Sequence, residues 1–337
     1  MHALVLVSFV EVLFFSIFTS QNAFSFDYKA NDFRRVTDLR NCNECNLESY
    51  DFSDRELSFV RLERSLLNKT DFRRAQLVKA SFHASHLARA NFRGANLSGA
   101  DFTGADLRDA DFSHAILEGA NFSKADLSGA QFDSSELSDV IFLKAKMHKV
   151  KNLSASVKKA QLLGADLSYS DLSGLDLGGM NLSSCKLIGA NLGHVRAEKT
   201  NFSGCDLSRA SAIQMSAKKA IFNGVNLSYA NFSRADLSES QMNLVQARGL
   251  NIEQGNLSQV MLEGADLTDA NFNSANLSKA LLKKSTLKKS SIYKAKLEQS
   301  ELCGAVLPDG KNAKSCQEDL SAFAVEESDM QIFMDDE

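Results

Sequence analysis

The residues of this chain best equipped for chemistry are its six cysteines and six histidines. Cys42 and Cys45 stand at a C-x-x-C spacing, the pattern of a redox pair or of half a zinc site. Either use needs a second ligand pair or a thioredoxin-like context, and the sequence offers neither. Cys185 and Cys205 are twenty residues apart, and Cys303 and Cys316 flank Pro308. In an oxidising compartment the candidate disulfides are Cys42–Cys45, Cys185–Cys205 and Cys303–Cys316; otherwise buried thiols are the default. His83, His86 and His114 have no nucleophile with an orienting acid beside them. The numerous Asp and Asn lack the close spacing of a calcium loop, and there is no phosphate-binding loop or nucleophile elbow. Ten N-x-S/T sequons occur, Asn96, Asn121 and Asn181 among them, but most are Asn-(Leu/Phe)-Ser triplets that come from one repeated phrase. No catalytic, metal or cofactor residue is assigned, and the chain is read as a non-enzyme.

Charge offers a second kind of site. The chain carries 38 basic and 42 acidic residues. Residues 47–307 hold 20 Lys and 12 Arg against 17 Asp and 11 Glu, so the acidity lies at the ends. Two basic runs read as free of acids and form a candidate interaction patch. The first comprises Lys144, Lys149, Lys151, Lys158 and Lys159, and the second Lys283, Lys284, Lys288 and Lys289. A solvated basic corner is the plainer reading of both.

What positions all these residues is a period of five. Phe or Leu recurs at Phe72, Leu77, Phe82, Leu87, Phe92 and onward to Phe142, with Ala commonly two residues before and Asp or Asn one before. Five residues turn an α-helix through about 500°, which defines no face. On a flat strand an odd step alternates faces. A chain that turns a corner at each pentad buries both the centre and the residue two before it. Phe82, Phe102, Phe122, Phe142, Phe202 and Phe222 fall on one twenty-residue beat. Phe72, Phe92, Phe112, Phe132, Phe232 and Phe272 fall on another, displaced by ten. Four pentads per coil, with stacked Phe columns in the core, explain both sets. Ser113, just after Phe112, is assigned outward. Where a centre shrinks to Ala197, Ala217 or Ala247, the place two before grows to Val195, Met215 or Val245, as close packing demands.

These pentads resemble the pentapeptide-repeat family, whose loose consensus is Ala-(Asp/Asn)-Leu-x-x. The resemblance implies an all-β fold, a right-handed quadrilateral β-helix. The match runs from Leu47 to Leu307 in steps of five, 53 pentads or about 13 coils of 20 residues. At ~4.8 Å per coil the rod is roughly 60 Å long.

Four segments are expected. Residues 1–25 read as a signal peptide, apolar from Ala3 to Phe18 with small residues at Ala23 and Ser25. Residues 26–46 read as an irregular N-terminal cap, 47–310 as the β-helix, and 311–337 as an acidic tail. Ser315 with Glu318 suggests a short capping helix whose Leu320, Phe323 and Ala324 cover the last coil. Between Lys144 and Lys159 a distortion is expected, because the centre falls on Asn152 and Leu153 can turn inward instead.

The leading functional expectation is an exported, periplasmic or secreted scaffold that presents flat faces to a protein partner, a second copy of the chain included. The alternative follows from the resemblance: a cytoplasmic DNA-mimicking protector or inhibitor of a type II topoisomerase. That role implies an acidic rod, whereas this coil is basic. Binding of DNA or an anionic surface through the lysine runs is weaker still, since surface aromatics are scarce.

Overall fold

The computed structural model describes residues 31–153, 155–317, 320 and 323. Its backbone is a right-handed quadrilateral β-helix in which parallel bridges join residues twenty apart, from Asn41↔Arg61 to Thr286↔Val306.

The pentad that ends at Ala75 shows why the sequence folds this way, because all five of its N–H groups are satisfied. Asp71, Phe72 and Arg74 donate to carbonyls of the coils before and after, at 2.8, 2.8 and 3.0 Å. Ala75 donates back across the corner to Phe72 at 3.1 Å. The fifth, the N–H of Arg73, donates to the Asp71 carboxylate at 3.0 Å. Asp and Asn therefore precede the centre because their short side chains cap an otherwise orphaned donor. Where that residue cannot cap, Asn from the preceding coil substitutes: Asn243 accepts from Glu263, next to Met261. The third residue of each corner is left-handed, as in Arg74 and Lys79 with φ of +57° and +54°. A non-glycine residue there costs on the order of 1 kcal/mol, which the coil-to-coil bonds offset.

The interior is filled by the two Phe columns. Phe82 and Phe102 stack at 4.8 Å, as do Phe102 and Phe122, with ring planes within 3° of parallel. Across the core Phe92 meets Phe102 edge to face at 5.6 Å. Phe72, Phe82, Phe92, Phe102, Phe112, Phe122, Phe132, Phe142, Phe202, Phe222, Phe232 and Phe272 are fully buried, and so are Ala197, Ala217 and Ala247 with their larger neighbours. Ser113 differs from its assignment: it is only 2 % exposed, and its N–H donates to the Asp111 carboxylate at 2.8 Å.

The distortion falls at the expected place. Asn152 is exposed with φ +53°, Leu153 is buried, and a 3-10 helix runs from Ala155 to Lys159. Among the described residues no bridge joins 151 to 171 or 156 to 176, yet Ile141↔Gln161 keeps the twenty-residue register.

The ends differ from the sequence reading. The ladder begins at Asn41, not after residue 46, because Cys42 and Cys45 already occupy inward places. The described residues before it are not irregular: 31–37 are helical, with Val36 buried and Phe33 stacked on Phe52 at 5.6 Å. At the other end the chain turns at Gly310 and runs back antiparallel, bridging Val306 to Asn312. Leu320 is buried and Phe323 packs on the core. The proposed signal peptide, Glu318 of the capping box, Ala324 and the rest of the acidic tail lie outside the described residues.

Candidate functional site

Each coil presents four faces, numbered by their buried centres in chain order. Face 1 runs through Phe82, Phe102 and Phe122, and face 2 through Leu87, Leu107 and Leu127. Face 3 runs through Phe92, Phe112 and Phe132, and face 4 through Leu97, Leu117 and Leu137. Side chains reach solvent from the residue before each centre and from the two after it.

The cysteines divide by position. Cys42–Cys45 and Cys303–Cys316 are disulfides, one at each end of the rod. The candidate bridge Cys185–Cys205 is not made; both are buried thiols. Each donates to a carbonyl of the neighbouring coil, Cys185 to Leu162 and Cys205 to Leu182, at 2.9 and 2.8 Å. Ser85 and Thr200 do the same work at equivalent places. Hydrogen bonding to Cys185, together with burial, pushes the Cys205 thiol up, so it stays protonated and unreactive. Asp32, Cys42 and Cys45 cluster closely enough to ligate a metal, but the two sulfurs are joined to each other. Both Asp32 oxygens are engaged as well, by Arg35 and the N–H of Asn46.

The lysine patch does not form one surface. Lys144 shares a column with Lys284, and Lys149 with Lys289, but seven coils, about 34 Å, separate them. Nor is the first run free of acids. Lys158 meets Asp176 at 2.6 Å, a partner eighteen residues on that coiling brings alongside. That bond, chief among several, holds the Asp176 carboxyl below its ordinary 3.8. Lys219, in the column of Lys159, is paired with Glu239. Among the described residues Lys144, Lys149, Lys151, Lys159, Lys283, Lys284, Lys288 and Lys289 have no carboxylate within 4 Å.

His83, His86 and His114 are exposed. His86 borders a shallow groove of about 420 Å³ on face 2 with Lys69, Arg89 and Arg108. Two of its cations are already matched, Arg108 to Asp106 at 2.7 Å and Arg89 to Asp109 at 3.8 Å, so it is no built anion site.

The feature that sequence reasoning missed is a neutral surface. From Gln161 to Leu244, face 1 shows solvent only Asn, Gln, Ser, Gly, Ile and Leu. These are five coils, about 24 Å, without a charge. On the adjoining faces the same coils carry ion pairs, Lys186–Asp166 on face 2 and Arg196–Asp176 on face 4. The signal was present in the sequence, in the outward residues read at steps of twenty. A run-by-run search for charge overlooks it.

Family models agree with this repeat. The family model for pentapeptide repeats matches in eight copies, covering residues 56–151 and 160–224, and that for a pentapeptide repeat region covers 215–292. A comparison with curated proteins returned no match. Among solved structures the chain is similar to HetL, a pentapeptide repeat protein involved in heterocyst differentiation regulation in Nostoc. Identity is 26%, over 83% of this chain and 96% of that one, with a TM-score of 0.31. It is also similar to Rfr23 from Cyanothece, at 22% identity over 39% and 97% of the two chains, with a TM-score of 0.31. A pentapeptide repeat protein from the Arabidopsis thaliana thylakoid lumen is 32% identical over 29% and 66%, with a TM-score of 0.16.

Proposed function

We propose, from the premise that this chain belongs to the pentapeptide-repeat family, that it is an exported, non-catalytic scaffold whose neutral face 1 docks a protein partner. The observation that carries the export reading is the placement of the disulfides. Both clamp an end of the rod, where capping segments would otherwise fray, and such bonds form and persist chiefly in oxidising compartments. The docking reading rests on the uncharged stretch of face 1, since binding surfaces are depleted of charge at their centres.

Imitation of duplex DNA fits less well. DNA carries one charge per ~1.7 Å, so a rod of roughly 60 Å would need about 35 unopposed acids. The coil has 28, set against 32 basic residues, and on no face do the acids stand alone.

The test is to recover the protein from its native cells, fraction by fraction, and weigh it intact without reduction. The expected result is a chain beginning near Phe26, outside the cytoplasm, with two disulfides and two thiols. An intact cytoplasmic chain with six thiols would end the export reading.

A further inference from the structure

Face 1 carries charge on both sides of its neutral stretch, and the signs met on approaching it from one side are reversed on the other. From the N-terminal side the coils bring Asp101, then Lys124 and Lys144. From the C-terminal side they bring Lys283 with Lys284, then Glu263. Among the described residues none of these six has an opposite charge within 4 Å on its own chain. Unmatched charges in reversed order along a flat surface suit a copy of that surface turned end for end.

Two copies laid face to face and antiparallel can place their two-fold between the coil of Asn181 and that of Asn201. Asp101 then shares a layer with Lys283 and Lys284, Lys124 with Glu263, and His83 with Glu301. The apolar groups register about the same axis, Leu143 with Leu244 and Leu163 with Ile221. Leu244 is 69% exposed and Leu163 39%, so both have surface to bury. Lys144 meets the coil of Leu244, along which its aliphatic stem can lie. At the axis stand Ser183, Ser184, Ser203 and Gly204, small enough for the two faces to approach closely. A slide of one coil, about 4.8 Å, sets Lys124 against Lys284 in one direction and Asp101 against Glu263 in the other. Parallel copies set every charge against itself.

We propose that the partner of face 1 is a second copy of this chain, bound antiparallel through that face as an isologous dimer. This rests on the docking reading of face 1 and names the partner. The shared surface runs from the coil of Ser81 to that of Glu301, twelve coils or about 58 Å, and is about 13 Å wide. It covers roughly 1,500 Å² over both copies, the size of a standard stable interface. Exposed charge pairs each contribute little, so the order of signs fixes the register while the apolar and neutral layers supply the affinity.

The test is sedimentation equilibrium of the full chain at low salt, unaltered and as K124E, E263K and K124E/E263K. The unaltered chain should be a dimer. Each single reversal should raise its dissociation constant about tenfold, because the two-fold repeats every contact. The double variant exchanges the two charges and should return to within about twofold of the unaltered chain. Lys124 and Glu263 lie seven coils, about 34 Å, apart on one chain, so only a second copy can couple them. Both side chains are exposed, so neither reversal disturbs the core. A chain monomeric at every concentration, single variants without effect, or losses that add in the double variant would overturn the dimer. The docking reading fails separately, if Ser203→Arg, a charge set into the neutral stretch, changes no association of the chain with itself or with proteins of its native cells.

Discussion

The rod before residue 152 and the rod after it share one backbone and fill it differently. Before the break Phe52, Phe72, Phe92, Phe112 and Phe132 form an unbroken stack on face 3. After it the same column reads Leu172, Leu192, Ala212, Phe232 and Ile252, all buried. The coil-to-coil bonds do not register the change: Phe92 donates to Asp111 at 2.7 Å, and Ala212 to Asn231 at 2.7 Å. The corners and their Asx caps therefore define the coil, and the core must only supply the right volume.

The sharpest way to break that comparison is to exchange the core between halves. Phe112→Ala, deep in the aromatic stack, should cost about 3–5 kcal/mol through lost burial and a cavity. Its column mate Ala212→Phe should also destabilise, by about 1–3 kcal/mol, because Met215 already occupies the adjoining corner. Urea denaturation gives both numbers, and a stabilising Ala212→Phe would mean the second half is underpacked.

Next in size are the cysteines. Removing the thirteen-residue clamp with C303S/C316S should cost about 3 kcal/mol. Cys205→Ser should cost less than about 1 kcal/mol, since serine performs the same bond at Ser85. If the two losses are equal in thermal melts, the end clamp contributes no more than a core thiol.

A smaller effect tests what the halves have in common. Asp111→Ala and Asp236→Ala each strip the cap from a largely buried serine, at Ser113 and Ser238. Each should cost about 1 kcal/mol. A cost confined to one half, seen in the same denaturation series, would contradict a shared corner design.

Acid should produce the smallest difference. Hydrogen bonds from Arg108 and Lys158 hold the Asp106 and Asp176 carboxyls below their ordinary 3.8. The folded chain then binds fewer protons than the unfolded one. This stabilisation is complete above about pH 5 and is lost as pH falls through the folded values. Melting points should be flat from neutral to about pH 5 and decline below it, less steeply in high salt. A decline that begins near neutrality would point to other groups.

Much of this was legible in advance, for a physical reason. A period of five admits no other regular burial, so the Phe columns and the distortion at Asn152 could be read from side-chain type and spacing. What escaped was whatever depends on the next coil. The pairing of Lys158 with Asp176, eighteen residues away, looked like isolated charge. Cys185 and Cys205 could be read as stacked thiols or as a bridge but not as donors to the neighbouring coil, and the helical turn at 31–37 had no repeat to announce it. The caps made by Asp71 and its kin were visible as a preference without a cause.

The fixed ladder of twenty also sets rules for how such a chain can change length. Duplicating twenty residues inside the rod adds about 4.8 Å and leaves every downstream side chain on its original face. Duplicating five turns everything downstream by a quarter, so Lys284 would move from face 1 to face 2 and the neutral stretch would break across two sides. Growth by whole coils keeps each surface at its address, and growth by pentads rewrites the map. The register kept through the 3-10 helix at Ala155–Lys159 means that even the one irregular coil obeys the first rule.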